Sequence, residues 1–164
     1  MNNLNKLATV LEEEKGLYSE LTQLAHDKQQ VIINNDVEKL ADYLRNEQEL
    51  IEKIEKKEKE RRRVVISLCS DIDMPEQDLS FSKLRDYIND DSKKELEELK
   101  SGLLEVLEEL QRVNDANKKL IEEALNLNDF NVKILTEATS PSASTYSKKG
   151  SNGNKPRRLI DTRA

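Results

Sequence analysis

Apolar residues recur at alternating steps of three and four along three stretches of the chain, the spacing that keeps side chains on one face of a helix. The first stretch, expected as a helix over about 3–33, holds Leu4, Leu7, Leu11, Tyr18, Leu21, Ala25 and Ile32, interrupted by Glu14 and Lys28. A second line of Val10, Leu17, Leu24 and Val31 runs beside it at steps of seven, so this helix has a wide apolar face suited to two neighbours. The pair Asn34 and Asn35 breaks the pattern, and Asn35 with Glu38 three residues on reads as a capping box opening a second helix over about 36–69. Its seam is Val37, Leu40, Leu44, Ile51, Ile54, Val65 and Leu68, but Glu47, Glu58 and Arg61 also fall on seam positions. Residues 55–63 contain no apolar side chain, which predicts a wet stretch of the helix pair or one covered by Lys and Arg stems.

Residues 70–91 read as a connector with one or two helical turns. Pro75 suits a first turn, and Leu79, Phe81, Leu84, Tyr87 and Ile88 are its anchors. The third long helix, over about 92–137, has the most regular seam: Leu96, Leu99, Leu103, Val106, Leu110, Val113, Asn117, Leu120, Ala124, Leu127, Asn131 and Ile134. From Ile121 onward a second row appears one position ahead of the first, formed by Ile121, Leu125, Asn128, Val132 and Leu135. One residue is about 100° of rotation, so the last four turns are apolar over roughly half their circumference. At about 1.5 Å per residue the three helices are roughly 46, 51 and 67 Å long. Packed up, down and up, they would leave about ten residues of the third without a partner along the axis, at the two-rowed end. Either the wide face of the first helix curls over this end, or an unfilled stripe awaits another helix.

The expected fold class is therefore all-α: an elongated antiparallel three-helix bundle or coiled coil over residues 1–138, followed by a flexible tail over 139–164. Four Gly, three Pro, no Trp and six aromatics leave little for the turns and cores of a sandwich, barrel or dinucleotide-binding fold. Charged residues make up 37% of the chain against 35% hydrophobic. The tail is rich in Ser, Thr, Gly, Asn and Lys, with Leu159 and Ile160 as its one apolar pair, a composition expected to stay disordered alone. Lys148, Lys149, Lys155, Arg157, Arg158 and Arg163 against Asp161 give the tail five positive charges. With a net charge of −6 overall, the first 138 residues carry eleven negative ones. No apolar run exceeds three residues, whereas a membrane span needs about 20 and a secretory signal about 7–15, so a soluble, cytoplasmic protein is expected. The single cysteine, Cys69, cannot form an internal disulfide and reads as a small buried side chain.

Catalytic and cofactor chemistry find little support. His26 is the only histidine and has no Cys or His at ligand spacing, so it reads as a surface helix residue. Glu pairs such as Glu97–Glu98 and Glu108–Glu109 lack the Glu-x-x-His pattern of carboxylate metal bundles and read as solvated faces. Neither cofactor nor metal is expected, and no enzyme. The basic cluster Lys56, Lys57, Lys59 and Arg61 to Arg63 is interleaved with Glu55, Glu58 and Glu60, and the acidic, aromatic-poor body disfavours nucleic acid. Asn117 on the seam reads either as fixing helix register or, with Asn114, as a contact to a partner.

The stretch Val113-Asn114-Asp115-Ala116-Asn117-Lys118-Lys119-Leu120-Ile121, late in a long helix, resembles the Asn-x-x-Asn-x-x-Leu-Ile stretch of the FlgN flagellar export chaperones. The likeness extends to the Leu4-x-x-Leu7 start, to Leu50-Ile51-Glu52-Lys53-Ile54 in a helix that opens after Asn34-Asn35-Asp36, and to the closing Ile160-Asp161-Thr162-Arg163-Ala164. It implies a cytosolic type III export chaperone that binds the helical terminal segments of hook-associated proteins, prevents their premature association and delivers them to the export gate. It also implies client binding in the last helix, which on this chain falls on Asn114, Asn117, Leu120, Ile121, Leu125, Leu127, Val132 and Leu135. A gate contact through the tail would fall on Tyr146, Leu159 and Ile160. A monomer or weak homodimer is expected. The rival readings are a coiled-coil scaffold that uses its seams to oligomerise and a nucleic-acid regulator that uses the basic cluster and tail.

Overall fold

The structure, a computed structural model, describes residues 2–139; the tail residues Tyr146, Leu159 and Ile160 lie outside them. The fold is all-helical. Helix α1 spans Asn2–Ile33, α2 Val37–Asp71, the short α3 Phe81–Leu84 and α4 Asp90–Thr139, with single 3-10 turns at Glu76–Asp78 and Arg85–Tyr87. By their contacts the described residues divide into two units, one ending at Leu120 and one beginning at Ile121; the expected tail over 139–164 lies almost wholly outside the described residues.

Local chemistry sets the turns. Asn35 takes a positive φ of 54°, a backbone conformation that Asn tolerates better than most residues. Its N–H donates to the Ile32 carbonyl at 3.0 Å, and that of Asp36 to Val31 at 3.2 Å, the paired bonds that close a helix in a Schellman motif. Asp36 then caps α2, its carboxylate accepting from the Lys39 N–H at 3.0 Å. The cap is therefore Asp36 and not the expected Asn35, because Asn35 is consumed in ending α1. Helix α2 closes in the same way, with Asp73 at φ 51° and the Met74 N–H donating to Cys69 O at 3.0 Å. Pro75 precedes the first 3-10 turn, Ser80 caps α3 through the Lys83 N–H, and Asn89 Oδ1 accepts from the Ser92 N–H to open α4.

Across α1 and α2 the polar seam positions meet one another. As the residue number on α1 climbs through Asn3, Glu14, Tyr18 and Lys28, its partner on α2 falls through Asp71, Arg61, Glu58 and Glu47. Glu14 is 1% exposed, and the Arg61 Nε donates to both of its oxygens at 3.0 Å. Burial pushes the Glu14 carboxyl above its usual range against the opposing pull of Arg61. The Lys28 Nζ donates to both Glu47 oxygens at 2.8 and 2.9 Å. Tyr18 donates its hydroxyl to Glu58 at 2.8 Å, and burial together with that bond pushes the phenol up to about 12. Lys57 bridges Glu13 and Glu60, which hold its ammonium at about 12. The stretch 55–63 is thus organised by ion pairs across the helix pair.

Apolar packing collects in two clusters on either side of the Glu14–Arg61 pair. Leu4, Leu7, Ala8, Leu68, Leu84 and Leu96 form one, joined by connector residues Leu79, Phe81 and Ile88. Leu21, Ala25, Ile54, Leu110 and Val113 form the other. Cys69 is buried in α2, as expected of a small buried side chain, and desolvation raises its thiol pKa, which disfavours the thiolate. His26, expected as a surface helix residue, is one: its side chain is 39% exposed on α1, with Nε2 2.9 Å from Glu109 Oε1. Arg112 forks onto the same carboxylate at 2.7 and 2.8 Å. Chiefly through Arg112, Glu109 is held at about 2.

Candidate functional site

Helix α4 supplies both buried and open surface. Its buried residues are Leu96, Leu110, Val113 and Asn117, all within the first unit. Asn117 is 2% exposed, and its Nδ2 donates to the Ala25 carbonyl at 2.8 Å, while Oδ1 has no partner among the described residues. A side-chain amide can reach a helix carbonyl in this way only where the facing residue is small, and Ala25 meets that need. Of the two uses weighed for Asn117, the bond to Ala25 is consistent with a role in helix register. Asn114 is exposed, and Leu120, the last residue of the first unit, is half-buried.

From Ile121 to Thr139 every residue is exposed except the half-buried Ala124. Ile121 is the least open of the large apolar side chains at 37%, with Leu125 at 57% and Leu135 at 63%. Leu127 and Val132 are open as well. Both rows read from the sequence are therefore uncovered: the seam that continues through Ala124, Leu127, Asn131 and Ile134, and the row beside it through Ile121, Leu125, Asn128, Val132 and Leu135. Two further residues, Phe130 and Ile134, are exposed apolar side chains that the sequence reading left out of the candidate surface. Phe130 lies three residues after Leu127 and four before Ile134, so helical spacing alone places it beside the first row. Isolated apolar side chains on a surface are ordinary, but seven within 15 residues of one helix make a continuous patch of the kind that marks an interaction surface.

Elsewhere the molecule offers little chemistry. Among the described residues no group of three or more His, Cys, Asp and Glu could hold a metal ion. No described helix is long and apolar enough to cross a membrane. The basic cluster of α2 is partly spent within the fold, Lys57 on Glu13 and Glu60, and Arg61 on Glu14. An open groove of about 630 Å³ between α1 and α4 is lined by Asn5, Thr9, Glu12, Glu13, Lys15, Glu95 and Glu98 over Ala8 and Leu99. Its Thr9 hydroxyl donates to the Asn5 carbonyl, its Lys15 pairs with Glu12, and its carboxylates are exposed.

Among the described residues the fold is all-helical, and its open apolar helix face is of the kind that marks a surface for binding another protein. The family model described as FlgN protein matches residues 1–154, and the chain belongs to the FlgN family, whose members are flagellar chaperones. No curated protein and no solved structure matched.

Proposed function

We propose that this protein is a cytoplasmic type III export chaperone for hook-associated proteins, built as an antiparallel three-helix bundle over most of its length. In this reading it captures the helical terminal segments of its clients on the last turns of α4, keeps them from associating before export, and hands them to the export gate. The observation that carries the reading is the exposure of Ile121, Leu125, Val132 and Leu135 on one face of a helix. Burying four such side chains contributes about 1.5–3 kcal/mol each. Part of that gain is offset by the loss of motional freedom on association, and the remainder is enough for specific capture. Leu127 extends the surface, and Asn114 contributes a polar edge. Asn117 and Leu120 support it from within the first unit. In the tail, Tyr146 with Leu159 and Ile160 is assigned to the export gate, and the tail's positive charge steers it toward acidic surfaces.

The test is the double substitution Ile121→Asp with Leu125→Asp. It is expected to abolish client capture in a pull-down while leaving the far-ultraviolet circular dichroism of the helices nearly unchanged. Loss of the helical signal would make these side chains part of the core and end the reading. A stable dimer in light scattering that dissociates on the same substitution would assign the face to self-association instead. Deleting residues 139–164 is expected to preserve the fold and to weaken delivery to the gate; normal export by the shortened chain would remove the tail from the mechanism.

A further inference from the structure

The seam of α4 changes character after Leu110. From there one of its two alternating positions holds Val113, Leu120, Leu127 and Ile134, and the other holds Asn117, Ala124, Asn131 and Ala138, so a large side chain is followed each time by a short one. Up to Asn117 the seam is used within the chain: Leu110 and Val113 share a cluster with Leu21 and Ala25 of α1 and Ile54 of α2, and Asn117 reaches the Ala25 carbonyl. Beyond Leu120 it is open.

Two copies of one helix meet along such a seam in either of two directions. Laid parallel, like faces like, so Leu127 lies on Leu127 and Ala124 on Ala124, and the layers are overfull and underfilled in turn. At the level of Asn117 each copy's seam is also taken by its own α1 and α2, which leaves no place for the other copy. Laid antiparallel, the two kinds of position face one another. Leu120 then meets the partner's Ala138, Ala124 the partner's Ile134, and Leu127 the partner's Asn131. Every layer sets one large side chain against one short one, which fills a helix interface evenly. On one flank Phe130 lies beside the partner's Phe130; on the other, Ile121 meets the partner's Leu135 and Asn128 the partner's Asn128. Of the exposed apolar residues between Ile121 and Leu135, Leu125 and Val132 alone stay in water. One contact opposes the pairing, Glu123 beside the partner's Glu137 at the exposed edge.

We infer that this face also serves self-association: residues 120–138 pair antiparallel with the same residues of a second copy, about a two-fold axis at the level of Asp129. A standard interface buries about 800 Å² on each partner. One face of a helix about five turns long supplies less, so the pair is a weak, exchanging one with a Kd on the order of 10–100 µM. The inference goes beyond the client-capture reading and stands without it, since a pair this weak opens on dilution and leaves the face free.

Sedimentation equilibrium of the full chain from about 5 to 500 µM tests it, and a monomer–dimer equilibrium is expected. Leu127→Asp with Ile134→Asp should weaken association at least about tenfold, whereas Leu125→Asp with Val132→Asp should leave it within about twofold. Ala124→Leu, which sets large against large, should weaken it about tenfold, and adding Ile134→Ala, which exchanges the order of sizes, should recover most of the loss. Glu137→Lys should tighten it by about two- to threefold. A chain monomeric throughout the range would overturn the inference while leaving client capture intact. So would a dimer that Ala124→Leu tightens, which is the mark of parallel pairing, or one indifferent to Leu127→Asp with Ile134→Asp, whose interface lies elsewhere. A dimer undiminished at the lowest concentration would be too tight for this face alone and would overturn it as well. Circular dichroism checks that each variant keeps its helices, as substitutions at exposed positions are expected to do.

Discussion

Between Leu96 and Asn117 the seam of α4 is buried or half-buried, whereas from Ile121 to Leu135 the large apolar side chains on the same helix stand 37–63% exposed. The two regions share a period and a helix type, so the difference does not lie in local propensity. In the first, apolar area removed from water stabilises the fold, and the polar seam residues Glu14, Lys28, Glu47 and Arg61 are matched in pairs. In the second, that stabilisation is unclaimed, and the polar residues Asn128 and Asn131 lie among apolar ones. A sequence under pressure only to fold would have no use for a second apolar row there; a sequence under pressure to bind would.

Substitutions can break this contrast, and the largest effect is expected inside the polar layer. Arg61→Ala leaves the carboxylate of Glu14 buried without its partner and should destabilise the fold by roughly 3–5 kcal/mol in denaturant unfolding. Glu14→Leu, which removes the buried charge and lets Arg61 turn to water, should cost far less. Equal costs for the two would contradict a buried charge at position 14. Next in size is a matched pair on α4: Leu110→Ala is expected to cost about 2–5 kcal/mol, and Leu127→Ala no more than about 0.5 kcal/mol. A comparable loss at Leu127 would mean that the second region is core. Asn117→Ala removes a buried hydrogen bond and should cost about 1–2 kcal/mol, while Asn114→Ala on the exposed side should be neutral.

Much of this was legible beforehand, and the omissions have definite causes. The helices span 2–33, 37–71 and 90–139 against the expected 3–33, 36–69 and 92–137, because periodicity over ten or more turns is a strong signal. The second row at Ile121 was visible for the same reason. Which seam exceptions meet was not, since pairing depends on the register between helices. Counting back equally on both sides of the turn at Asn34 to Asp36 sets Lys28 opposite Asp42 and Glu14 opposite Lys56, five residues short of the observed partners Glu47 and Arg61, so the register could not be read from the turn alone. The cap at Asp36 was misassigned because Asn35 fits two roles, helix cap and left-handed turn, and only the backbone hydrogen bonds distinguish them. The bond from His26 to Glu109 joins residues 83 apart in sequence and left no local trace.

The smallest expected effect concerns pH. Tyr18 and Lys57 both titrate near 12 in the folded chain, above their ordinary values of 10.0 and 10.5. Groups raised in this way lend stability that is complete below the unfolded value and fades as pH rises toward the folded one. Stability measured by urea unfolding should therefore fall between about pH 10 and 12, and Tyr18→Phe should flatten part of that fall. An identical profile for the variant would mean that burial and the bond to Glu58 do not raise the phenol of Tyr18. Glu109, held at about 2, behaves oppositely: its contribution is complete above the ordinary carboxylate value of 4.5 and is lost as pH falls toward 2.

Hydrogen exchange of the full chain, alone and with a hook-associated protein, reads the central contrast most directly. Amides of a helix without tertiary cover open by local unfolding, so residues 121–135 should exchange early in the free chain while those around Leu110 and Val113 are protected. On adding the client, strong new protection should appear across 121–135 and little elsewhere. Unchanged exchange across 121–135, with protection arising instead in α1 or α2, would contradict the account.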